Sequence, residues 1–351
     1  MSLTIIGDIH LGYERKSFTT KEGRDRFKKN IFDAAFSHLD KAEGTLIQVG
    51  DLFDKASNND ATMLQGLRIS EKVDWLLAGN HDLRNKNGFD STLHMISESN
   101  GGAVQDIKFP GYNKPTSYAV PEVGNILPVI VPYCYSQELF EQSLEQAVEI
   151  AHQSDAKFKV LMLHTNYNLE FELTETTNNL TSEVAKTLLE TFDYIFSGHE
   201  HNAGEHLGGK LIMVGSVSPL SITDLEDKFI FHMDDSGVVT KTKTWDKASR
   251  SKIYDVDSMP QSLPADVQFV RITGELSLGA LPTAMKQVAQ WWKESPTLLV
   301  CKPEWDVISE DEAGEEVRAA SVDNLPNTIR ALLSDPELVE LYDQLLKEVG
   351  Q

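Results

Sequence analysis

The sequence is poor in cysteine, in basic side chains and in long apolar runs. Cys134 and Cys301 are the two cysteines among 351 residues, far apart and without CxxC spacing, which excludes a disulfide framework and a thiolate-held metal. A reducing compartment is therefore expected. No stretch approaches the roughly 18 apolar residues of a membrane span. Met1 to Ile6 also run straight into Gly7 and Asp8, without a basic leader or a long apolar segment, so the expectation is a soluble, cytoplasmic chain with no membrane partner. Repeats and low-complexity tracts are absent. The 32 Lys and Arg against 54 Asp and Glu leave a net charge of −22. Such a surface repels polyphosphate at long range, since nucleic-acid binders normally carry a basic face. Metal ions or a partner would have to offset it. The local exception runs from Arg15 to Lys29, where Arg15, Lys16, Lys21, Arg24, Arg26, Lys28 and Lys29 face only Glu22 and Asp25. It reads either as a solvated helix and loop or as a phosphate contact.

What the sequence has instead is one arrangement used repeatedly: a short apolar run of strand length ending in a polar residue able to bind metal. "LTIIGDIH" delivers Asp8 and His10, "TLIQVGDLFD" Asp51, and "VDWLLAGNHD" Asn80, His81 and Asp82. "FKVLMLH" delivers His164, and "DYIFSGHEH" delivers His199 and His201. Helical stretches, Arg24 to Ala42 and Glu138 to Gln153 among them, separate several of these runs. Strands alternating with helices predict α/β layering around a largely parallel sheet, with ligands beyond the carboxyl ends of the strands. Five strand ends are thus expected at one edge. Gly7, Gly50, Gly79 and Gly198 each sit just before a candidate ligand, where a sharp turn suits glycine.

The donor inventory suggests the chemistry. Two Asp, one Asn and four His, with no thiolate, suit manganese, iron or zinc outside a closed structural site. Seven donors are too many for one ion. Paired ions sharing a bridging carboxylate would use them and leave positions open for water and a phosphate ester.

In order and type, "GDIH", "GDLFD", "GNHD", a strand-terminal His and "GHEH" resemble the signature of the calcineurin-like metallophosphoesterases, over roughly residues 1–245. "DIHLGY", "VPY" at 131–133 and "GSVSPLSITD" at 215–224 narrow the resemblance to the SbcD-type nuclease subunits of double-strand-break repair. That resemblance implies a layered metallophosphoesterase sandwich and two divalent ions, manganese for preference. Asp8, His10, Asp51 and His201 would hold one ion. Asp51, Asn80, His164 and His199 would hold the other, with Asp51 as the bridge. It further implies DNA as substrate, an SMC-like coiled-coil ATPase of SbcC type as partner, and a homodimer. His81 is the motif histidine left over, placed to protonate a leaving oxygen. Asp82 would orient His81 or simply cap the next turn. Arg84 and Lys86 fit either a phosphate contact or a solvated loop. The remaining five histidines read as surface or core residues. A small-substrate phosphodiesterase and a non-catalytic scaffold are the rival readings.

Three segments are expected: a nuclease domain over 1–250, a capping domain over 251–305 and a tail over 306–351. "KFIFHMDDSGVVTKTKTW" reads as a hairpin closing the catalytic sheet. "DVQFVRITG", "LPTAMKQVAQWWKES" and "PTLLVCKPEW" read as strand, helix, strand, a cap by resemblance or a plain accessory unit. The tail opens with seven acidic and no basic residues between Glu304 and Glu316, the composition of a solvated linker. Leu325, Ile329, Leu332 and Leu333, then Leu338, Leu341, Tyr342, Leu345 and Val349, form apolar stripes at helical spacing. They would pack on the main domain or dock on the ATPase.

Overall fold

The computed structural model describes residues 1–14, 21–83, 91–99, 106–109, 114–169, 178–310 and 316–318. The chain divides into two compact units. The first comprises Met1–Tyr13 and Lys28–Asp246, the second Glu14–Phe27 and the residues from Lys247 onward.

The first unit contains two six-stranded sheets. β1 (Ser2–Ile6), β2 (Thr45–Gln48), β3 (Trp75–Leu77) and β4 (Asp106–Lys108) run parallel in that spatial order. The second sheet is built around the parallel strands β6 (Ile126–Val131), β7 (Phe158–His164), β10 (Tyr194–Gly198) and β12 (Leu211–Met213). The antiparallel strands β5 (Tyr118–Ala119) and β11 (Gly204–His206) form its edges. A short parallel pair, β8 (Asn166–Tyr167) and β9 (Asn179–Leu180), stands beside it. The first sheet is completed by the hairpin β13 (Lys228–Asp234) and β14 (Val239–Trp245), with β13 antiparallel to β1. Its turn is closed by Asp234, whose Oδ1 accepts from the backbone N–H groups of Ser236 and Val238. Gly237 there takes a positive φ of 86°.

The parallel strands of the second sheet are largely buried on both faces, which explains why they read as unbroken apolar runs. Side chains alternate in direction along a strand: Ile126 and Ile130 enter a core shared with Leu3, Ile5, Ile47 and Val49 of the first sheet. Leu127, Val129 and Val131 point the other way, against Phe140, Leu144 and Ala147 of α4 (Gln137–His152) and Ala185 and Leu188 of α5 (Ser182–Leu188). The expected α/β layering is therefore present as a sandwich of two sheets. The five motif strands are not neighbours in one sheet, however. β1, β2 and β3 belong to the first and β7 and β10 to the second, and their carboxyl ends come together because the two sheets stack.

The second unit carries the predicted strand, helix, strand as β16 (Phe269–Thr273), α7 (Leu281–Glu294) and β18 (Val300–Pro303). β15 (Ser251–Asp255) pairs parallel to β16. Leu281, Ala284, Val288 and Trp291 form the buried stripe of α7, with Val270 and Ile272 of the sheet in the same core. A solvated linker from Asp306 is not what the structure has: β19 (Asp306–Glu310) pairs with β17 (Glu275–Ser277) and with β20 (Glu316–Arg318). Backbone pairing does not depend on side-chain charge, so charge alone misread this segment. The two leucine stripes beyond it, like Arg15, Lys16, Arg84 and Lys86, lie outside the described residues.

The basic cluster is divided. α1 (Lys21–Leu39) contributes its residues through Phe27 to the second unit and those from Lys28 to the first. Arg26 donates from Nη1 to the carbonyl oxygens of Trp292 and Ser295, at 3.4 and 3.1 Å, and Lys29 pairs with Asp33 one turn on. Arg26 and Lys29 thus have intramolecular partners. Among the described residues no helix is long and apolar enough to cross a membrane.

Candidate metal centre

Each candidate donor stands where its strand ends. Asp8 and His10 follow β1, Asp51 follows β2, Asn80 and His81 follow β3, His164 closes β7, and His199 and His201 follow β10. Asp8, His10, Asp51 and His164 are buried, His201 is partly exposed and His81 is exposed. The backbone is strained at these positions. Among the described residues only five other than glycine have positive φ, and three of them are His10 (54°), Asp51 (53°) and His199 (88°). Such angles persist only where the surroundings over-determine them, and they cluster at functional sites.

The glycines before the donors have a different purpose from the one the sequence suggested. Gly50 does take a positive φ, 101°, but Gly7, Gly79 and Gly198 do not. They are needed for closeness. A Cβ on Gly79 would lie 2.2 Å from Asp51 Oδ1, one on Gly198 2.7 Å from Asp8 Oδ1, and one on Gly7 1.8 Å from the carbonyl oxygen of Gly215. Removing those methylene-sized volumes lets two sheets bring their loops to one point.

There the donors form two overlapping groups. Asp8, His10 and His201 offer atoms mutually within 4.8 Å, and so do Asp51, His164 and His199. Asn80 joins the second group, its Oδ1 lying 3.0 Å from His164 Nε2 and 2.9 Å from His199 Nδ1. Asp51 stands between them, its Oδ2 3.6 Å from His10 Nε2 and 3.4 Å from His164 Nε2. The structure thus brings all seven predicted donors together. His81 also comes within reach of His10 and Asp51, but both of those already serve the two groups.

The contacts within the cluster fit a cation. His164 donates from Nδ1 to the carbonyl of Val49 at 2.8 Å, which leaves Nε2, facing the oxygen of Asn80, as the atom that would meet an ion. His10 Nε2 and His201 Nε2 face each other at 3.1 Å, while His10 Nδ1 is buried with no hydrogen-bond partner, Asp54 Oδ1 being 3.7 Å away. Lone pairs converging on one another need a proton or a metal ion between them. The electrostatics agree. Burial disfavours charge on His10, yet the carboxylates of Asp54, Asp8 and Asp51 raise it to about 10. Burial likewise opposes charge on His164, and Asp51 raises it to about 9. Asp51 itself, despite its burial, is held below the ordinary carboxylate range by His164, His10 and His81. His199 is pushed down to about 4 by burial and by His164 beside it. The cavity stabilises positive charge and keeps His199 a neutral donor. Carboxylate, amide oxygen and imidazole donors without sulfur suit divalent ions of borderline hardness.

Asp82 does not orient His81. Its fully buried carboxylate accepts from the backbone N–H groups of Leu52, Phe53 and Gly79, at 3.3, 2.9 and 2.9 Å, and so ties the loop after β2 to the loop after β3. Burial, then the charge of Asp51, pushes it above the usual carboxylate range. The partner of His81 is Asp54, the last residue of "GDLFD". His81 donates from Nδ1 to the Asp54 carbonyl at 2.8 Å, with the Asp54 carboxylate 4.0 Å off. Asp54 was legible only as part of that motif. Gln48 was not signalled at all: buried inside β2, it donates to the carbonyls of Gly7 and Gly50 and accepts from the Gly50 N–H.

Fold and site together define a two-sheet α/β protein with a divalent-metal centre at the joined strand ends. The family profile of the calcineurin-like phosphoesterases matches residues 1–203, and the chain belongs to that family, whose chemistry is metal-dependent phosphoester hydrolysis. Among solved structures it is similar to a dimetal phosphatase from Danio rerio, at 12% identity and a TM-score of 0.45 over 69% of this chain and 95% of that one. It is also similar to the calcineurin-like phosphoesterase YfkN from Bacillus subtilis, at 14% identity and a TM-score of 0.38 over 70% and 86%. No curated protein matches the chain.

Proposed function

We propose that this chain is a two-metal DNA nuclease subunit that acts with an SMC-like coiled-coil ATPase in DNA repair or recombination. The observation that carries the hydrolytic part is the seven-donor cluster with one exposed imidazole, His81, at its rim. Manganese ions at this centre would activate water and neutralise the phosphoryl oxygens. Asp8, His10, Asp51 and His201 would hold one ion and Asp51, Asn80, His164 and His199 the other. His81, with Nδ1 committed to the carbonyl of Asp54, would use Nε2 to pass a proton to the departing oxygen.

The nucleic-acid part is supported by the likeness of "DIHLGY", "GDLFD", "VPY" and "GSVSPLSITD" to the SbcD-type subunits. A second compact unit following the phosphoesterase fold is in keeping with a cap that selects duplex DNA, and the leucine stripes of the tail with docking on the ATPase. A small phosphodiester substrate is favoured by one observation, the net charge of −22, which repels DNA unless metals and a partner offset it. The discriminating experiment is degradation of linear duplex DNA with Mn2+, with and without the ATPase. Duplex shortening is expected and is stimulated by the ATPase. Hydrolysis of small diesters only, under both conditions, would favour the second reading.

A further inference from the structure

The loop that leaves β12 lies across the backbone of two candidate donors. Val217 N–H donates to the carbonyl of Asp8 at 3.0 Å, and Ser216 N–H to the carbonyl of His201 at 3.0 Å. Gly215, at a φ of 80°, makes the close approach possible, since a Cβ there would lie 2.8 Å from Ala203 N. The loop ends at Lys228, the first residue of β13, whose side chain is fully buried. Its ammonium donates to the carbonyl of His201 at 2.8 Å, to Asn202 Oδ1 at 3.1 Å and to Asp224 Oδ1. Asp224 Oδ2 in turn accepts from Leu220 N–H at 3.2 Å and stands 3.9 Å from His201 Nδ1.

A buried ion pair is a costly way to gain stability, because an apolar pair of the same volume does as well or better. One whose hydrogen bonds end on a donor's backbone is better explained by what it positions. The register of β13 on β1, from Ser2 opposite Asp234 to Ile5 opposite Phe231, anchors Lys228 to the strand that delivers Asp8 and His10. Its ammonium then fixes the loop that delivers His201. The hydrogen bonds and ion contacts of this pair go to His201, Asn202 and Leu220, and none goes to Asn80, His164 or His199.

We infer that Asp224 and Lys228 are positioning residues for one ion only, the one assigned to Asp8, His10 and His201, and that they set its affinity independently of the other. The inference rests on the two-metal reading above. Removing Lys228 alone would raise the local negative charge and Asp224 alone would lower it, so single variants confound field with position. Asp224→Asn/Lys228→Met keeps the net charge and removes both.

The test is a calorimetric Mn2+ titration of the full chain stripped of metal, with manganese-edge diffraction to show which ion is affected. Thermal melts in EDTA check the fold. The wild type binds two ions. The double variant keeps one at wild-type affinity and binds the Asp8–His201 ion about 10–100-fold more weakly, the size expected when outer-shell partners of a metal are removed. Two unchanged affinities in the variant, or equal loss of both ions with the melt intact, would overturn the inference and leave the two-metal reading standing. Fewer than two ions on the wild type would overturn that reading and this inference with it. If the double variant does not fold, Asp224→Asn/Lys228→Gln carries the same test, since it removes both charges and the ammonium that holds the His201 carbonyl while keeping polar side chains in their place.

Discussion

His81 is the most exposed member of the cluster, and its two ring nitrogens have separate tasks, one bonded to Asp54 and one open. Replacing it with asparagine should leave both ions bound and lower hydrolysis by about 10²–10⁴-fold, the usual range for a lost general acid. Steady-state rates beside metal analysis check this; near-normal rates would return the proton donor to water. Gly79→Ala should do the opposite, since its Cβ has nowhere to go but against Asp51. It should release metal and lower the melting temperature, read by elemental analysis and a thermal scan. The raised histidines give a pH dependence with a definite sign. In the metal-free chain His10 and His164 keep their protons up to about 10 and about 9, and a ligating imidazole must lose its proton. Loading at pH 7 should therefore release about two protons. Affinity should rise from pH 7 towards 9–10 and level off above. Calorimetry in buffers of different ionisation enthalpy counts the protons, and a pH-independent affinity would contradict the assignment.

At the scale of elements, α7 holds the second unit together through Trp291, which is fully buried and donates from Nε1 to the carbonyl of Pro260. Trp291→Ala should cost about 3–5 kcal/mol, visible as a lower denaturant midpoint. Elements of this kind were legible in the sequence because each carries a single periodicity: the 3.6-residue stripe of α7, the apolar run of β7, the Asp-Ser-Gly turn of the β13–β14 hairpin. The donors were legible for the same reason, each marking the polar end of an apolar strand. What the strands did not reveal was their division between two sheets, because a buried strand reads alike in either. Asp82 was misassigned because adjacency in sequence to His81 says nothing about where a buried carboxylate points, and backbone N–H groups from two loops claimed it. Asp224 and Lys228 went unread as a pair because their partner is a backbone carbonyl, which leaves no residue-type signal. β19 was hidden by its acidic composition.

For the whole molecule, all seven candidate donors lie in the first unit and before residue 202. Residues 319–351 should therefore be dispensable for chemistry. A chain ending at Arg318 keeps β20 and should hydrolyse a small phosphodiester at the full-length rate, while ATP-stimulated duplex degradation with the ATPase disappears. Unimpaired stimulation would show that the leucine stripes do not dock the partner.

The central claim is that two ions held by one set of strand ends act together on a phosphodiester. It is tested most directly by following hydrolysis of a small chromogenic phosphodiester as Mn2+ is added in counted equivalents to the metal-free chain. The account predicts no activity in EDTA or in Asp51→Ala, and a rate that follows occupancy of the second ion. A rate that saturates with a single ion per chain, or that survives the loss of Asp51, would contradict it.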